Sequence, residues 1–147
     1  MMKQLAPVTL CAIILLFVLL SAPTFAADPP EGFTPLFNGK NLDGWEGRPQ
    51  FSPYKEISAD QQKKWDEDLA KNWRVEGDEL VNDGKGVYAT TKKDYKDFIL
   101  LVEYKTVPKA DSGIYLRGNP QVQIWDTTEA GGKWKLGADK GSGGLWN

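Results

Sequence analysis

The stretch "DSGIYLRGNPQVQIWD", residues 111–126, constrains the fold more than any other part of the chain. Apolar and polar residues alternate on either side of Gly118-Asn119-Pro120, and successive side chains of a strand point to opposite faces, so the stretch reads as two strands joined by a turn. If Gly118 to Pro120 form a three-residue hairpin loop, Arg117 pairs with Gln121, Leu116 with Val122, Tyr115 with Gln123 and Ile114 with Ile124. Ile114, Leu116, Val122 and Ile124 then make one apolar face for a core. Tyr115, Arg117, Gln121, Gln123 and Trp125 collect on the other.

The rest of the chain fits an antiparallel β protein around this hairpin. "FTPLFNGKNLDGWEG" (33–47) places Phe33, Leu36 and Phe37 before Asn38-Gly39 and Asp43-Gly44, pairs that suit positive φ, and predicts a first strand with tight turns; Trp45 is read as core. Ser58 followed by Gln61 is a helix-start signature, and Trp65, Leu69 and Trp73 recur at helical spacing. A helix is therefore expected over 59–71, its tryptophans laid on the sheets and the charges of "KKWDEDLAK" turned to solvent. "WRVEGDELVNDGKGVYAT" (73–90) has short apolar runs split by Gly77-Asp78 and "NDGKG", as in a meander. "DFILLVEYKT" (97–106) is apolar on both faces in its first half and predicts a central strand. The tail "TTEAGGKWKLGADKGSGGLWN" (127–147) is glycine-rich without a clear strand, a loop that bends closely round something or a flexible end.

Residues 1–26, "MMKQLAPVTLCAIILLFVLLSAPTFA", carry Lys3, an apolar centre and a small-residue exit, the pattern of a secretory signal peptide cleaved after Ala26. The alternative is an uncleaved anchor, but the apolar run Leu10 to Leu20 is short against the ~20 residues a spanning helix needs. The expected product is secreted or periplasmic, with no stable membrane span and one domain over 27–147. Cys11, the single cysteine, falls within the leader, so no disulfide framework holds the mature chain and a packed core must do so. The charges nearly balance, with 20 acidic and 18 basic residues and no basic cluster, which argues against nucleic acid.

The chain has 0 histidines, which removes Ser-His-Asp and Cys-His nucleophile systems and histidine zinc sites. Chemistry must run on carboxylates, Lys, Arg, Tyr or amides. No cofactor is called for; a divalent cation, if bound, would be held by oxygens and would be calcium or magnesium rather than zinc. The hairpin face of Tyr115, Arg117, Gln121, Gln123 and Trp125 suits a neutral polyhydroxylated ligand. Amides donate and accept, arginine supplies fixed donors, and aromatic rings cover the apolar faces of sugars. The same residues also suit the ordinary wet outer face of a sheet.

"FTPLFNGKNLDGW" and "DSGIYLRGNPQVQIWD", in this order, resemble the motif blocks of the 3-keto-disaccharide hydrolase family, and the resemblance runs from about Gly32 to Asn147. It implies a concanavalin A-like lectin/glucanase jelly roll: an antiparallel β-sandwich with a sugar site on the concave face. Family members continue through further strands beyond the position of "GSGGLWN", so the resemblance implies a sandwich incomplete at its C-terminus.

The implied activity acts on glycosides already oxidised to a ketone at carbon 3, by elimination and hydration. The alternative is a non-catalytic, lectin-like module that holds glycans on the same face. Carried over by motif, Arg117 stabilises the oxygen anion, Gln123 orients the sugar, and Asp126 is the candidate base or metal ligand, with Tyr115, Gln121 and Trp125 completing the substrate face. Asp126 equally suits a turn cap with Thr127 and Thr128. At the position of Gln121 many members of the family carry a glutamate.

Overall fold

A computed structural model describes residues 28–50 and 56–146. The expected signal peptide lies outside the described residues. The chain divides into two compact units, one up to Thr91 and one from Lys92. Among the described residues it is mostly strands, paired antiparallel in small sheets, with one α-helix.

In the first unit, strand β1 (Trp45–Arg48) pairs with β4 (Tyr88–Thr91), Trp45 opposite Thr91. Strands β2 (Trp73–Glu76) and β3 (Glu79–Asn82) form a hairpin across Gly77-Asp78, where Gly77 takes φ 63°. The meander reading therefore holds for β2 and β3, whereas β4 crosses to β1. The strand expected near Phe33 does not form: residues 33–37 lie outside any sheet, and the first strand begins at Trp45. The turn chemistry there is as read. Asn38 Oδ1 accepts from the Lys40 and Asn41 N–H groups at 2.9 and 3.0 Å, and Gly39 and Gly44 have φ 68° and 87°.

Helix α1 spans Ala59–Asn72, one residue beyond the expected end. Ser58 caps it, its hydroxyl accepting the Gln61 N–H at 3.2 Å, which satisfies one of the donors a helix start leaves open. It stops where Trp73 turns extended, at φ −120° and ψ 137°, and enters β2. Leu69 is buried with Trp65 and Trp73 half-buried beside it, as the helical spacing predicts.

The solvated face is less simple than expected. Asp66 Oδ1 accepts from the Gly47 N–H at 2.9 Å, and Asp68 Oδ2 from the Val87 N–H at 2.8 Å. Two carboxylates thus pin the helix to backbone donors near β1 and β4, which a charge pattern alone does not distinguish from solvent exposure. Gly47 permits the approach, because a Cβ there would overlap the Trp65 carbonyl and lie 2.9 Å from Val87 Cγ2.

The second unit is built on β5 (Asp111–Tyr115), β6 (Gln121–Trp125) and β7 (Leu145–Trp146), in that order across one antiparallel sheet. Short 3-10 turns at Glu129–Gly131, Trp134–Leu136 and Ala138–Lys140 carry the chain from β6 back to β7. The glycine-rich tail is therefore an edge strand with its approach loop. Gly143 N–H donates to the Gln123 carbonyl at 2.8 Å and Gln123 N–H to the Gly144 carbonyl at 2.9 Å, extending the ladder beyond β7.

The central strand expected over 97–106 is absent. Residues 98–107 run without a turn but pair with no strand, and Ile99 is 76% exposed and Leu101 56% exposed. Alternation fixes which side chains share a face; it does not supply the neighbouring strand that would cover them.

Candidate functional site

Strands β5 and β6 form the hairpin read from the sequence, with its register displaced by two residues. Tyr115 lies opposite Gln121, Ile114 opposite Val122, Gly113 opposite Gln123, Ser112 opposite Ile124 and Asp111 opposite Trp125. The turn is longer than three residues, because Arg117 takes φ 57° and Gly118 φ 91°, both left-handed and incompatible with a strand. Leu116 N–H closes the turn on the Pro120 carbonyl at 2.9 Å, across a cis Asn119-Pro120 bond.

An even shift preserves parity, so Gln121, Gln123 and Trp125 do share a face, now opposite Asp111, Gly113 and Tyr115. Arg117 leaves that face and sits exposed on the turn. The sequence missed this because a left-handed arginine has no signature in an alternating pattern.

Gly113 makes room for the amides. A Cβ there would lie 2.7 Å from Gln121 Cδ and 2.8 Å from its Oε1, so the Gln121 side chain rests on the bare backbone of β5. Gln121 Nε2 donates to Gln123 Oε1. Gln123 Nε2 in turn donates to Asp111 Oδ1 at 2.9 Å and to the Ser112 carbonyl at 3.0 Å, and Lys133 Nζ stands 2.6 Å from Asp111 Oδ2.

The far end of the face is aromatic. Trp125 donates its Nε1–H to the Gly141 carbonyl at 2.9 Å and meets Trp146 edge-to-face, with centroids 5.6 Å apart. Gln123 and Trp125 are only 5% and 7% exposed, so the open outer face expected of them is in fact covered by the returning tail. A cavity of about 280 Å³ remains beside them, lined also by Leu136, Lys140, Ser142 and Trp146. That is near the lower size of small-molecule sites. The tail residues carry no site pattern in the sequence; "GSGG" before Leu145-Trp146 is their one signal, an allowance for close approach.

Asp126 follows β6 and closes a turn. Its Oδ2 accepts from the Lys109 N–H at 2.7 Å and its Oδ1 from the Thr128 N–H at 2.9 Å. These bonds, the Lys109 N–H foremost and then Thr128, hold its carboxyl below the usual carboxylate range. A second depression, of about 320 Å³, opens beside it along Thr106 to Lys109.

Asp126 and Arg117 lie at opposite ends of the hairpin, separated by the length of β6, roughly 17 Å of strand. Sequence reasoning grouped them; the structure keeps them apart. Among the described residues no group of three or more His, Cys, Asp or Glu is placed to hold a metal ion, and no helix is long and apolar enough to cross a membrane.

The described residues thus form a mostly-β protein of small antiparallel sheets, one of which carries Gln121, Gln123 and Trp125 on a single face. The family model of the 3-keto-alpha-glucoside-1,2-lyase-like domain matches residues 32–147, and the chain belongs to that family, a carbohydrate-active group with hydrolase- and lyase-like members. No curated protein and no solved structure matches it.

Proposed function

We propose that the chain is an exported carbohydrate-active protein that cleaves 3-keto-glycosides by elimination followed by hydration. Membership of the lyase-like family over 32–147, with the amide and aromatic face of β6 inside that range, carries the reading. A ketone at C3 acidifies the C2 proton. A base removes that proton, its electron pair forms the C1=C2 bond, and the C1–O bond breaks with its electrons on the leaving oxygen, which takes up a proton. Water then adds across the double bond, hydroxyl to C1 and proton to C2, which gives net hydrolysis.

In this proposal Gln121 and the cavity beside Gln123, Trp125 and Trp146 receive the sugar, and Tyr115 borders them on β5. Arg117, roughly 17 Å from Asp126 at the other end of β6, does not reach the same sugar ring; its fixed donors suit a more distant part of the glycan. Asp126 serves as base when the Lys109 and Thr128 N–H groups release it. The family's fold, a concanavalin A-like sandwich, belongs to the same proposal, as does export to the periplasm or beyond by the leader 1–26.

A second reading has its own support: a non-catalytic glycan-binding module. Asp126 is engaged by two backbone donors that weaken it as a base, and a glutamine at 121 cannot abstract a proton. Incubation with a 3-keto-disaccharide separates the two. Release of 3-keto-sugar that is lost in Asp126→Ala supports the enzyme; glycan binding that survives Asp126→Ala, with no turnover before or after the change, supports the module.

A further inference from the structure

Lys133 and Asp111 belong to neither motif role above, yet they begin an unbroken chain of polar contacts that ends at Gln121. We propose that they are positioning residues: they set which way the Gln123 and Gln121 amides point, and so which groups Gln121 presents to a ligand. The inference rests on the glycan-face reading and sharpens it, because it assigns contact with the sugar to Gln121 and support to Gln123.

The order of the chain follows from donor and acceptor chemistry. An ionised carboxylate accepts and never donates. Asp111, with the Lys133 ammonium 2.6 Å from its Oδ2, therefore requires the Nε2 end of Gln123 at its Oδ1, 2.9 Å away. The second proton of the same Nε2 goes to the Ser112 carbonyl at 3.0 Å. Both amide protons of Gln123 are thus engaged, and its Oε1 is turned to Gln121, which can answer only with Nε2. Gln123 is 5% exposed and has no proton left for a sugar hydroxyl.

Gln121 is half-buried and keeps one N–H and its Oε1, the latter resting over Gly113. Reversing the Gln123 amide would set its oxygen against the Asp111 carboxylate, a contact of two acceptors. The charged pair at one end therefore fixes the polarity at the other.

The test compares Asp111→Asn, Lys133→Met and Lys133→Arg in the full chain with two readouts. The first is the side-chain NH2 signals of Gln121 and Gln123 in the free protein. The second is KM and kcat for p-nitrophenyl 3-keto-α-glucoside. An asparagine can donate as well as accept, so Asp111→Asn is expected to shift or broaden both NH2 pairs while the backbone amide spectrum stays native. It should raise KM about tenfold, the scale of one hydrogen bond, with a smaller change in kcat. Lys133→Met should move the same signals in the same direction, and Lys133→Arg should restore them.

NH2 signals of Gln121 that ignore Asp111→Asn, in a chain whose backbone spectrum is native, overturn the relay. Coupled NH2 signals in a wild-type chain that neither binds nor cleaves the probe support the relay and overturn the functional reading alone.

Discussion

Asp126 has both carboxylate oxygens on backbone N–H donors, and the consequence is a sign. Its pKa is depressed by the Lys109 and Thr128 bonds, so the stabilisation they give is present above the unfolded value, near ~3.9, and is lost as pH falls through the lower folded value. Carboxyl carbon NMR should show Asp126 titrating below the ordinary aspartate range, and Asp126→Asn should remove that acid-limb dependence. A normal titration would show that the turn does not hold the carboxylate.

Gly113 is the other residue whose smallness has a use. Gly113→Ala places a methyl against Gln121 Cδ and 3.0 Å from the Val122 carbonyl, an overpacking expected to destabilise by about 1–3 kcal/mol in chemical denaturation. The sequence contained the candidate site residues but not their partners. Gln121, Gln123 and Trp125 share a face because parity survived the register shift. Arg117 left that face because the chain turns left-handed at a position where no glycine announces it.

At the scale of elements, α1 is the most legible piece, since a cap and an apolar stripe agree locally. Ser58→Ala should cost about 1 kcal/mol, measured as a lowered denaturation midpoint, through loss of the bond to the Gln61 N–H. Gly47→Ala should cost more, because the obstruction is the Trp65 backbone carbonyl and cannot move as a side-chain end would. Its readout is a larger drop in thermal midpoint than for Ser58→Ala; an equal or smaller drop would mean that α1 does not press on β1 as described. The roles of Asp66 and Asp68 were hidden, as a carboxylate bonded to a distant backbone N–H has the same sequence signature as a solvated one. The tail was hidden for another reason: β7 has two residues, Leu145 and Trp146, too few for any periodicity.

For the molecule as a whole, 98–107 is the part whose sequence and surroundings disagree. Phe98, Ile99, Leu101, Val102, Tyr104 and Val107 are all exposed, in a segment that belongs to no strand or helix. An exposed run of apolar side chains of this kind favours intermolecular association. The chain is therefore expected to associate as its concentration rises, by light scattering, and Leu101→Lys should reduce that association. A wild-type chain that stays monomeric at all concentrations would contradict this. The all-β class was legible from short alternating runs and turn residues. The assembly of sheets was not, because alternation is a property of one strand, whereas a sheet needs the identity of its neighbour.

The proposed reaction begins with removal of the C2 proton of a 3-keto-sugar. Incubation with p-nitrophenyl 3-keto-α-glucoside in deuterated water, followed by proton NMR, tests it most directly. The expected result is release of the phenol together with 3-keto-glucose that carries deuterium at C2, and no release from the unoxidised glucoside. An intact 3-keto-glycoside whose C2 proton is retained would contradict it.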